Sequence, residues 1–374
     1  MRKKIIILGF SFLLLSLFLF IYEDNIKISK NEKKVKFENK LFKNSYTKAK
    51  DIIKDMTIEE KIGQLFLVRY DLDNIDLYNK YNPGGYILFS KDFKDETKES
   101  IKNKIDKLQE KLKYKLIIAV DEEGGEVIRV SKFKEFREEP FKSNQDIYNE
   151  GGYELLEKQE KEKAELLLSL GINLNLAPVV DVTFDKDDYI YSRTFGQDYK
   201  HTEEFSKKMV RYSIDNNIGS CLKHFPGYGT NIDTHNDVSV DNRDYESISN
   251  NDYLPFISGI KEGVSCILVS HNKVMSIDKD NPASLSKNIN SELRDKLKYE
   301  GLIITDDLSM GATVNISEAS IQAVKAGNDM LITSDFIKMY NEILDSVNNN
   351  KISIKSIDNK VLNILSWKID RGLL

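Results

Sequence analysis

The sequence predicts an α/β chain, a single (β/α)8 barrel of the TIM type, preceded by an N-terminal transmembrane signal-anchor. From about residue 50 onward, eight short apolar runs alternate with longer amphipathic ones, which is typical of buried parallel strands separated by helices. Side chains capable of chemistry follow several of the apolar runs, and a barrel gathers the carboxyl ends of its strands at one mouth. A doubly wound sheet, the alternative, would use only the strands at its switch point, and the nucleotide fingerprints GxGxxG and GxxxxGKS/T are absent from the sequence.

The predicted strands are short runs rich in Ile, Leu and Val. They span residues 64–68, 85–89, 116–120, 173–179, 219–222, 266–269, 302–304 and 330–332. The predicted helices have apolar residues at helical spacing along one face. They include residues 97–112, 154–170, 203–216, 288–297 and 318–326. Because the two kinds of segment alternate through the rest of the chain, we expect residues 47–374 to form one catalytic barrel.

The N-terminal part of the chain is predicted to be a membrane anchor followed by a spacer. Arg2-Lys3-Lys4 precedes an uncharged run over 5–22, which is just long enough to span a bilayer, and the basic cluster places the rest of the chain outside the cell. No small-residue cleavage site follows, which favours an uncleaved, single-pass signal-anchor over residues 1–22. A cleaved signal peptide, the alternative, would make the protein secreted. Residues 23–46 are rich in Lys, Asn and Glu, as in a polar stalk.

Composition excludes several classes of partner. The formal net charge is −5 and no basic stripe is present, which argues against binding to nucleic acid. Neither Cys221 nor Cys266 has the spacing of a metal motif, and we expect neither a metal nor a cofactor. Both cysteines lie in apolar, strand-like runs. We expect buried free thiols there, with a disulfide between neighbouring strands as the alternative.

One glycine-rich loop has the composition of a proton-transfer site. It reads Lys-His-Phe-Pro-Gly-Tyr-Gly-Thr-Asn-Ile-Asp-Thr-His over residues 223–235 and directly follows a predicted strand. Gly accepts positive φ and Pro fixes its own φ, so the path of such a loop is constrained. The carboxylate of Asp233 can then hold one imidazole nitrogen of His235, which leaves the other nitrogen to move a proton.

Other polar residues with chemical potential also follow predicted strands. Asp306 and Asp307 place adjacent carboxylates at the end of a buried strand, where charge is costly unless it is paired or used. Asp121 follows another strand, and a carboxylate there can accept hydrogen bonds from two hydroxyl groups. Arg193 offers a rigid fork that serves two acceptors at once. His271 also follows a strand, and we expect its role to be structural.

Several of these residues have structural alternatives. Asp307 also suits a helix N-cap, because Asp favours that position and carboxylates suit the helix N-terminus. An ion pair with an acid such as Asp198 would account for Arg193 without any ligand. Glu122 and Glu123 suit turn positions before the Gly-Gly bend that follows them.

Taken jointly and in order, these motifs resemble glycoside hydrolase family 3 in its β-N-acetylhexosaminidase branch. The resemblance is carried by Lys-His-Phe-Pro-Gly at 223–227 with Asp-Thr-His at 233–235, and by Thr-Asp-Asp-Leu-Ser-Met at 305–310. Asp-Glu-Glu-Gly-Gly at 121–125 and Arg-Thr-Phe-Gly at 193–196 add to it. The similarity extends over nearly all of the chain after the stalk.

The resemblance implies a role for each of the matching residues. Asp306 corresponds to the nucleophile, and Asp233 with His235 corresponds to the acid/base dyad. Four residues correspond to the groups that bind the non-reducing sugar: Asp121, Arg193, Lys223 and His224. Two departures are evident, because Tyr228 stands where those enzymes more often have His and the loop is one residue shorter before Asp233.

The expected function follows from this resemblance and from the N-terminal anchor. We expect a retaining exo-β-N-acetylglucosaminidase, without metal or cofactor, that releases terminal N-acetylglucosamine from peptidoglycan-derived or related glycans outside the cell. A β-glucosidase or a phosphorylase of the same family is an alternative enzyme. A non-catalytic, wall-anchored sugar-binding protein is an alternative of a different class.

Overall fold

The computed structural model describes residues 41–229 and 239–374, which contain a nearly closed barrel of parallel strands, in agreement with the predicted TIM-type fold. The strands are β1 (Phe66–Arg69), β2 (Gly85–Leu88), β3 (Ile117–Val120), β4 (Leu174–Asn175), β5 (Gly219–Phe225), β6 (Val240–Asp241), β7 (Cys266–Val269), β8 (Lys273–Val274), β9 (Leu302–Thr305) and β10 (Leu331–Thr333). Eight of them are hydrogen-bonded in the order β10-β1-β2-β3-β4-β5-β7-β9. A parallel bridge from Ile304 to Met330 brings β9 beside the start of β10, while β6 and β8 pair separately.

Helices connect most successive strands of the barrel. They are α1 (Lys43–Lys54), α2 (Ile58–Gln64), α3 (Ile75–Asn79), α4 (Lys98–Lys111), α5 (Asn144–Ser169), α6 (Tyr199–Asp215), α7 (Tyr245–Ser247), α8 (Tyr253–Glu262), α9 (Lys287–Ser291), α10 (Gly311–Val314), α11 (Ala319–Ala326), α12 (Phe336–Asn348) and α13 (Ile354–Asp370). Each predicted strand and helix overlaps an observed one. The segment predicted as one helix over 288–297 is divided between α9 and a π-helical turn, Glu292–Lys296.

The start of α5 differs from its prediction. The helix begins at Asn144, where the Ser143 hydroxyl accepts a hydrogen bond from the amide of Asp146 (3.0 Å). Gly151 and Gly152 then depart from helical geometry, and φ of Gly152 is 61°. The amphipathic pattern over 154–170 therefore identified only the part of α5 beyond this kink. A glycine pair is a common cause of a kink, because glycine tolerates φ values that other residues avoid.

The two cysteines form a disulfide, so the expectation of free thiols is wrong. Cys221 in β5 and Cys266 in β7 are register partners in adjacent parallel strands, with their Cα atoms 4.3 Å apart. The sequence placed each cysteine in a buried strand but could not fix the register between two strands that are distant in sequence. That register is what brings the two sulfur atoms together.

The predicted membrane anchor over 1–22 lies outside the described residues. Within residues 41–229 and 239–374, no helix combines the length and the apolar character needed to cross a bilayer. The predicted stalk over 23–46 lies largely outside the described residues as well. Its last few residues are described, and α1 begins among them at Lys43.

Helix α13 covers the amino-terminal ends of the strands. The Trp367 ring is fully buried against the start of β5, where a Cβ added to Gly219 would lie 2.7 Å from the ring. Nearby, Lys368 is fully buried and its Nζ donates a hydrogen bond to Oε1 of Gln64 (2.6 Å), just before β1. Burial lowers the pKa of Lys368 to about 7. This end of the barrel is closed, so the opposite end is the one available for a site.

Replacing Lys368 with methionine should change how stability depends on pH. In the unfolded chain this lysine stays protonated up to its ordinary pKa of 10.5, whereas in the folded chain it loses its proton near pH 7. The resulting penalty is greatest below pH 7 and fades towards pH 10.5. We expect the stability of Lys368→Met relative to the wild type to fall between pH 7 and pH 10, by at most about 1.4 kcal/mol per pH unit.

Urea unfolding at pH 7, 8.5 and 10 measures this difference. Lys355→Met is a suitable control, because Lys355 is exposed on the same helix. A difference between Lys368→Met and the wild type that stays constant over this pH range would contradict the expectation.

Candidate active site

A cavity of about 410 Å³ opens at the carboxyl ends of the barrel strands. Its lining comes from the ends of all eight strands of the barrel (β1, β2, β3, β4, β5, β7, β9 and β10) and from the loops that follow them. Five predicted site residues line this cavity together: Asp121, Arg193, Lys223, His224 and Asp306. This is the end at which (β/α)8 barrels place their active sites. The predicted dyad residues Asp233 and His235 lie outside the described residues.

Lys223 is the centre of a buried ion cluster in this cavity. Its Nζ lies 2.7 Å from Oδ1 of Asp121 and 2.6 Å from Oε1 of Glu123. The Lys223 side chain is only 3% exposed. An ammonium group in this position is tolerated because two carboxylates replace the water it would otherwise bind. The pairing connects the end of β5 to the loop that follows β3.

Arg193 extends the cluster through a two-point ion pair. Its Nε lies 3.0 Å from Oε2 of Glu123, and its Nη2 lies 2.8 Å from Oε1 of the same carboxylate. Arg193 therefore forms an ion pair with an acidic residue, as the structural alternative predicted, but its partner is Glu123 and not Asp198. Asp198 instead accepts a hydrogen bond from the amide of His201 (2.9 Å) and caps α6. Since Arg193 also lines the cavity, the ion pair fixes its fork beside the open space.

The prediction that Glu122 and Glu123 are turn residues is correct for one of them. The Glu122 carboxylate accepts hydrogen bonds from the amides of Arg129, Val130 and Ser131, so it stabilises its own loop. The prediction is wrong for Glu123, which is 3% exposed and pairs with both cations of the cluster. Adjacent acids in a loop point in different directions, and the sequence does not reveal which one enters the site.

Charge pairing keeps the cluster ionised. Burial alone would raise the pKa of Glu123, but Arg193 and Lys223 hold it well below its usual range. Burial likewise opposes protonation of Lys223, yet Asp121 and Glu123 raise its pKa above the ordinary value. The cavity therefore presents fixed donors and acceptors at neutral pH, which suits recognition of hydroxyl groups.

His224 is oriented by Asp181, a residue to which the sequence assigned no role. Nδ1 of His224 lies 2.7 Å from Oδ2 of Asp181, and the same carboxylate accepts the amides of His224 (3.0 Å) and Tyr228 (2.7 Å). The arrangement favours a proton on Nδ1 and leaves Nε2 on the side of Arg193, whose Nη2 is 3.5 Å away. The position of Asp181 directly after an apolar run was the only signal in the sequence.

Asp306 lies at the end of β9. Its amide donates to the carbonyl of Val269 (2.9 Å), and its Oδ1 accepts the amide of Asp307 (2.8 Å). Asp307 is not a helix N-cap, because its Oδ1 accepts the amide of Ser309 (2.8 Å) and α10 starts only at Gly311. Burial raises the pKa of Asp307.

His271 supports the same segment from within the protein. It is fully buried, with Nδ1 2.7 Å from Oγ of Ser284 and Nε2 2.9 Å from the carbonyl oxygen of Asp307. A contact with the backbone next to Asp306 agrees with the structural role expected for His271.

A second ion network stabilises the residues that flank the segment 230–238. Arg243 pairs with Asp241 (Nη2 to Oδ2, 2.7 Å) and with Asp252 (Nη1 to Oδ2, 2.9 Å). Gly227 and Gly229 have φ values of 119° and 61°, and added Cβ atoms would lie 2.4 Å from Oδ1 of Asp252 and 2.7 Å from Nη2 of Arg243. Only glycine allows the backbone to approach these charged groups so closely. No sequence motif indicated this network.

No group of three or more His, Cys, Asp and Glu side chains in the described parts of the chain is arranged to hold a metal ion.

Comparisons with known proteins identify the family of this chain. A model of the glycosyl hydrolase family 3 N terminal domain matches residues 57–367. A β-hexosaminidase of Hydrogenovibrio crunogenus is 33% identical over 278 residues, which are 70% of this chain and 75% of that protein. A β-hexosaminidase of Photobacterium profundum is 34% identical over 256 residues, which are 67% of this chain and 74% of that protein.

A solved structure gives the same result. It is a glycoside hydrolase family 3 β-N-acetylglucosaminidase from Paenibacillus sp. str. FPU-7, with a TM-score of 0.78 and 26% identity. The match covers 85% of this chain and 63% of that chain, so the present chain spans less than two thirds of that relative. This chain belongs to glycosyl hydrolase family 3. It is a glycoside hydrolase that resembles the β-hexosaminidases of that family.

Removing the charge of Glu123 should destabilise the protein in a pH-dependent way. In Glu123→Gln, Arg193 and Lys223 remain buried with one carboxylate fewer, and breaking such a cluster typically costs about 3–5 kcal/mol. Because the pKa of Glu123 is lowered on folding, its contribution is complete above its ordinary pKa of 4.5 and is lost as the pH falls below that value.

Urea unfolding from pH 7 to pH 3.5 tests this expectation. The difference between the wild type and Glu123→Gln should be constant above about pH 5.5 and should shrink below pH 4.5. Glu138→Gln, at an exposed position in the following loop, should show neither effect. A difference that grows on acidification would overturn the assigned charge state.

Proposed function

We propose that this protein is a retaining exo-β-N-acetylglucosaminidase that releases terminal N-acetylglucosamine from peptidoglycan-derived or related glycans. The observation that carries the proposal is that Asp306 shares one cavity with the ion cluster centred on Lys223. A carboxylate at a strand end on one side and fixed hydroxyl-binding groups on the other are what a glycosidase needs. The names of the sequence relatives support hexosaminidase chemistry over other sugar specificities.

In the first step Asp306 acts as the nucleophile. Its carboxylate attacks the anomeric carbon while the bond to the leaving oxygen breaks, and His235 donates a proton to that oxygen. The Asp307 amide fixes the carboxylate of Asp306 by donating to Oδ1. In the second step His235 takes a proton from water, the water attacks the anomeric carbon, and the bond to Asp306 breaks. Two displacements give a product of retained configuration.

Asp233 supports His235 in this scheme. A carboxylate beside one imidazole nitrogen sets the tautomer and raises the pKa of the ring, so that the other nitrogen can first give and then take a proton. This role is inferred from the Asp-Thr-His motif.

The ion cluster binds the non-reducing sugar. Asp121 accepts hydrogen bonds from hydroxyl groups, while Lys223 and Arg193 donate to them. His224 adds Nε2, since Asp181 engages Nδ1. Because Glu123 holds both cations in place before substrate arrives, little side-chain entropy is lost on binding.

An extracellular location, on a single-pass membrane anchor, is part of the proposal. The pattern of basic residues followed by an uncharged run over 1–22 supports it. The disulfide between Cys221 and Cys266 also supports it, because disulfides persist mainly outside the reducing cytosol. If the N-terminal segment is cleaved, the enzyme is secreted. Either location brings it into contact with cell-wall fragments.

Turnover of two aryl substrates by the full chain, purified in detergent, tests the proposal. We expect hydrolysis of an aryl β-N-acetylglucosaminide and little hydrolysis of the matching β-glucoside. Asp306→Asn should lower kcat/KM by about a thousandfold or more, because the covalent step is lost. His235→Ala should lower it by about 10²- to 10⁴-fold. Asp345→Asn, at an exposed position on α12, serves as the control.

The products distinguish the alternatives. Nuclear magnetic resonance of the first-formed sugar should show the β-anomer. A product with inverted anomeric configuration would contradict the covalent mechanism. A sugar phosphate formed in phosphate buffer would indicate a phosphorylase, and turnover of the glucoside alone would indicate a β-glucosidase. Sugar binding without turnover would indicate a binding protein.

A further inference from the structure

Two exposed aromatic side chains lie on the loop that carries Arg193. This loop, residues 176–198, connects β4 to α6. Tyr189 lines the active-site cavity and is 39% exposed, while Phe184 is 66% exposed. A single exposed aromatic residue is common on protein surfaces, but two on one loop at the edge of a cavity form an apolar surface available to a ligand. The proposed mechanism uses neither residue.

Tyr189 is held in position by its neighbours. Its hydroxyl oxygen accepts a hydrogen bond from Nη1 of Arg193 (3.3 Å), and the centre of its ring lies 6.2 Å from that of Tyr228. Arg193 is itself fixed by its ion pair with Glu123. The Tyr189 ring is therefore placed before a ligand binds, and little side-chain entropy is lost when a ligand packs on it.

A second cavity, of about 510 Å³, lies beside the first at the carboxyl ends of β4 and β5. Phe184 and Tyr199 line it, and their ring centres are 5.7 Å apart. Tyr228 lines the first cavity and Gly229 lines the second, so consecutive residues separate the two spaces. A ligand that extends out of the first cavity on this side meets the second one.

Hydrogen bonds within the loop fix the spacing of the two exposed rings. The Thr183 hydroxyl donates to the carboxylate of Asp188 and accepts the amide of Asp185 (3.2 Å). These contacts tie the part of the loop that contains Phe184 to the part that contains Tyr189. The loop therefore presents the two rings as a fixed pair, one inside the active-site cavity and one beyond it.

Sugar rings suit such a surface. A β-linked hexose has an apolar C–H face whose hydrogens carry a slight positive charge, and this face packs on the electron-rich face of an aromatic ring. In the proposed mechanism the ion cluster binds the terminal sugar, so aromatic rings next to that cluster are available to the sugars that follow.

We propose that Tyr189 forms the binding subsite for the second sugar of the substrate and that Phe184 forms the subsite for the third. The preferred substrate is then a glycan of three or more β-linked sugars, and a disaccharide or a small glycoside is a poorer one. This inference rests on the proposed glycosidase function, because it assigns the chain length of the substrate of that site.

Initial rates of sugar release from compounds of different length test the two subsites. The compounds are N-acetyl-β-glucosaminyl azide, N,N′-diacetylchitobiose and N,N′,N″-triacetylchitotriose. The azide provides the reference, because its leaving group has no ring, whereas an aryl leaving group could itself stack on Tyr189. We expect kcat/KM of the wild type to be about three- to tenfold higher for the trisaccharide than for the disaccharide, as one further aromatic contact of ordinary strength predicts.

Truncation of each ring should change a different ratio. Tyr189→Ala should lower kcat/KM for both oligosaccharides by about three- to tenfold relative to the azide. Phe184→Ala should remove only the preference for the trisaccharide over the disaccharide. Tyr189→Phe keeps the ring and loses the hydroxyl contact with Arg193, so it should retain the wild-type ratio of disaccharide to azide.

Leu168→Ala is the control, because Leu168 is also an exposed apolar residue and lies near the end of α5 that leads into β4, away from the cavity. It should change neither ratio, and thermal unfolding shows whether each variant is folded. Wild-type ratios in folded Tyr189→Ala and Phe184→Ala would overturn the proposal. Equal effects of Tyr189→Phe and Tyr189→Ala would overturn the Tyr189 subsite, since the hydroxyl group would then be responsible. A wild type without the length preference would overturn the Phe184 subsite.

Failure of the subsites can be distinguished from failure of the proposed function. Hydrolysis of the azide alone would overturn the subsites and leave the glycosidase proposal standing. If the wild type hydrolyses none of the three compounds, the glycosidase proposal fails. Calorimetric titration with the trisaccharide then decides the subsites. Binding that is weaker in Tyr189→Ala and in Phe184→Ala than in the wild type would support them, and equal or undetectable binding in all three proteins would overturn them.

Discussion

The ammonium group of Lys223 is the charge on which the rest of the site depends. It is buried at the end of β5 and must be neutralised there, and it is neutralised by two carboxylates from the loop after β3. One of these, Glu123, also holds Arg193, so three separate stretches of chain are fixed by one cluster. Loss of Glu123 would leave Arg193 without its carboxylate partner, and loss of Lys223 would remove the ammonium group that pairs with Asp121. The cluster therefore stabilises this end of the barrel and fixes charged side chains beside the cavity with the same contacts.

Asp306 is held in place by hydrogen bonds to the main chain and not by the ion cluster. Its amide donates a hydrogen bond to Val269 and its carboxylate accepts the amide of Asp307, while His271 contacts the backbone of Asp307. The cavity thus combines a carboxylate that accepts a main-chain amide with a group of side chains fixed by ion pairs. The guanidinium groups of Arg69 and Arg129 differ from both, because each lies over the Phe89 ring and has no carboxylate partner among the described residues.

Much of the fold could be predicted from local patterns in the sequence. Apolar runs and the polar residues after them identified the strands and the mouth of the barrel. This was possible because a buried barrel strand is a short apolar run that can be recognised from a few consecutive residues. The pairing of Cys221 with Cys266 and the split between Glu122 and Glu123 could not be predicted. Both depend on register or on side-chain direction, which are set by segments distant in the chain. In the sequence, Asp181 could be recognised only as an acidic residue that follows an apolar run. Its contact with His224 could not be predicted, because the fold brings the two residues together.

Arg243 has a consequence for how this protein can change over evolution. It pairs with Asp241 and Asp252 and lies against Gly229, so one guanidinium group stabilises the chain on both sides of residues 230–238. Insertions, deletions and substitutions within that segment need not disturb β5 or β6, since the boundaries of the segment are fixed independently. A change in the length of that segment would therefore not require a new barrel to evolve around it.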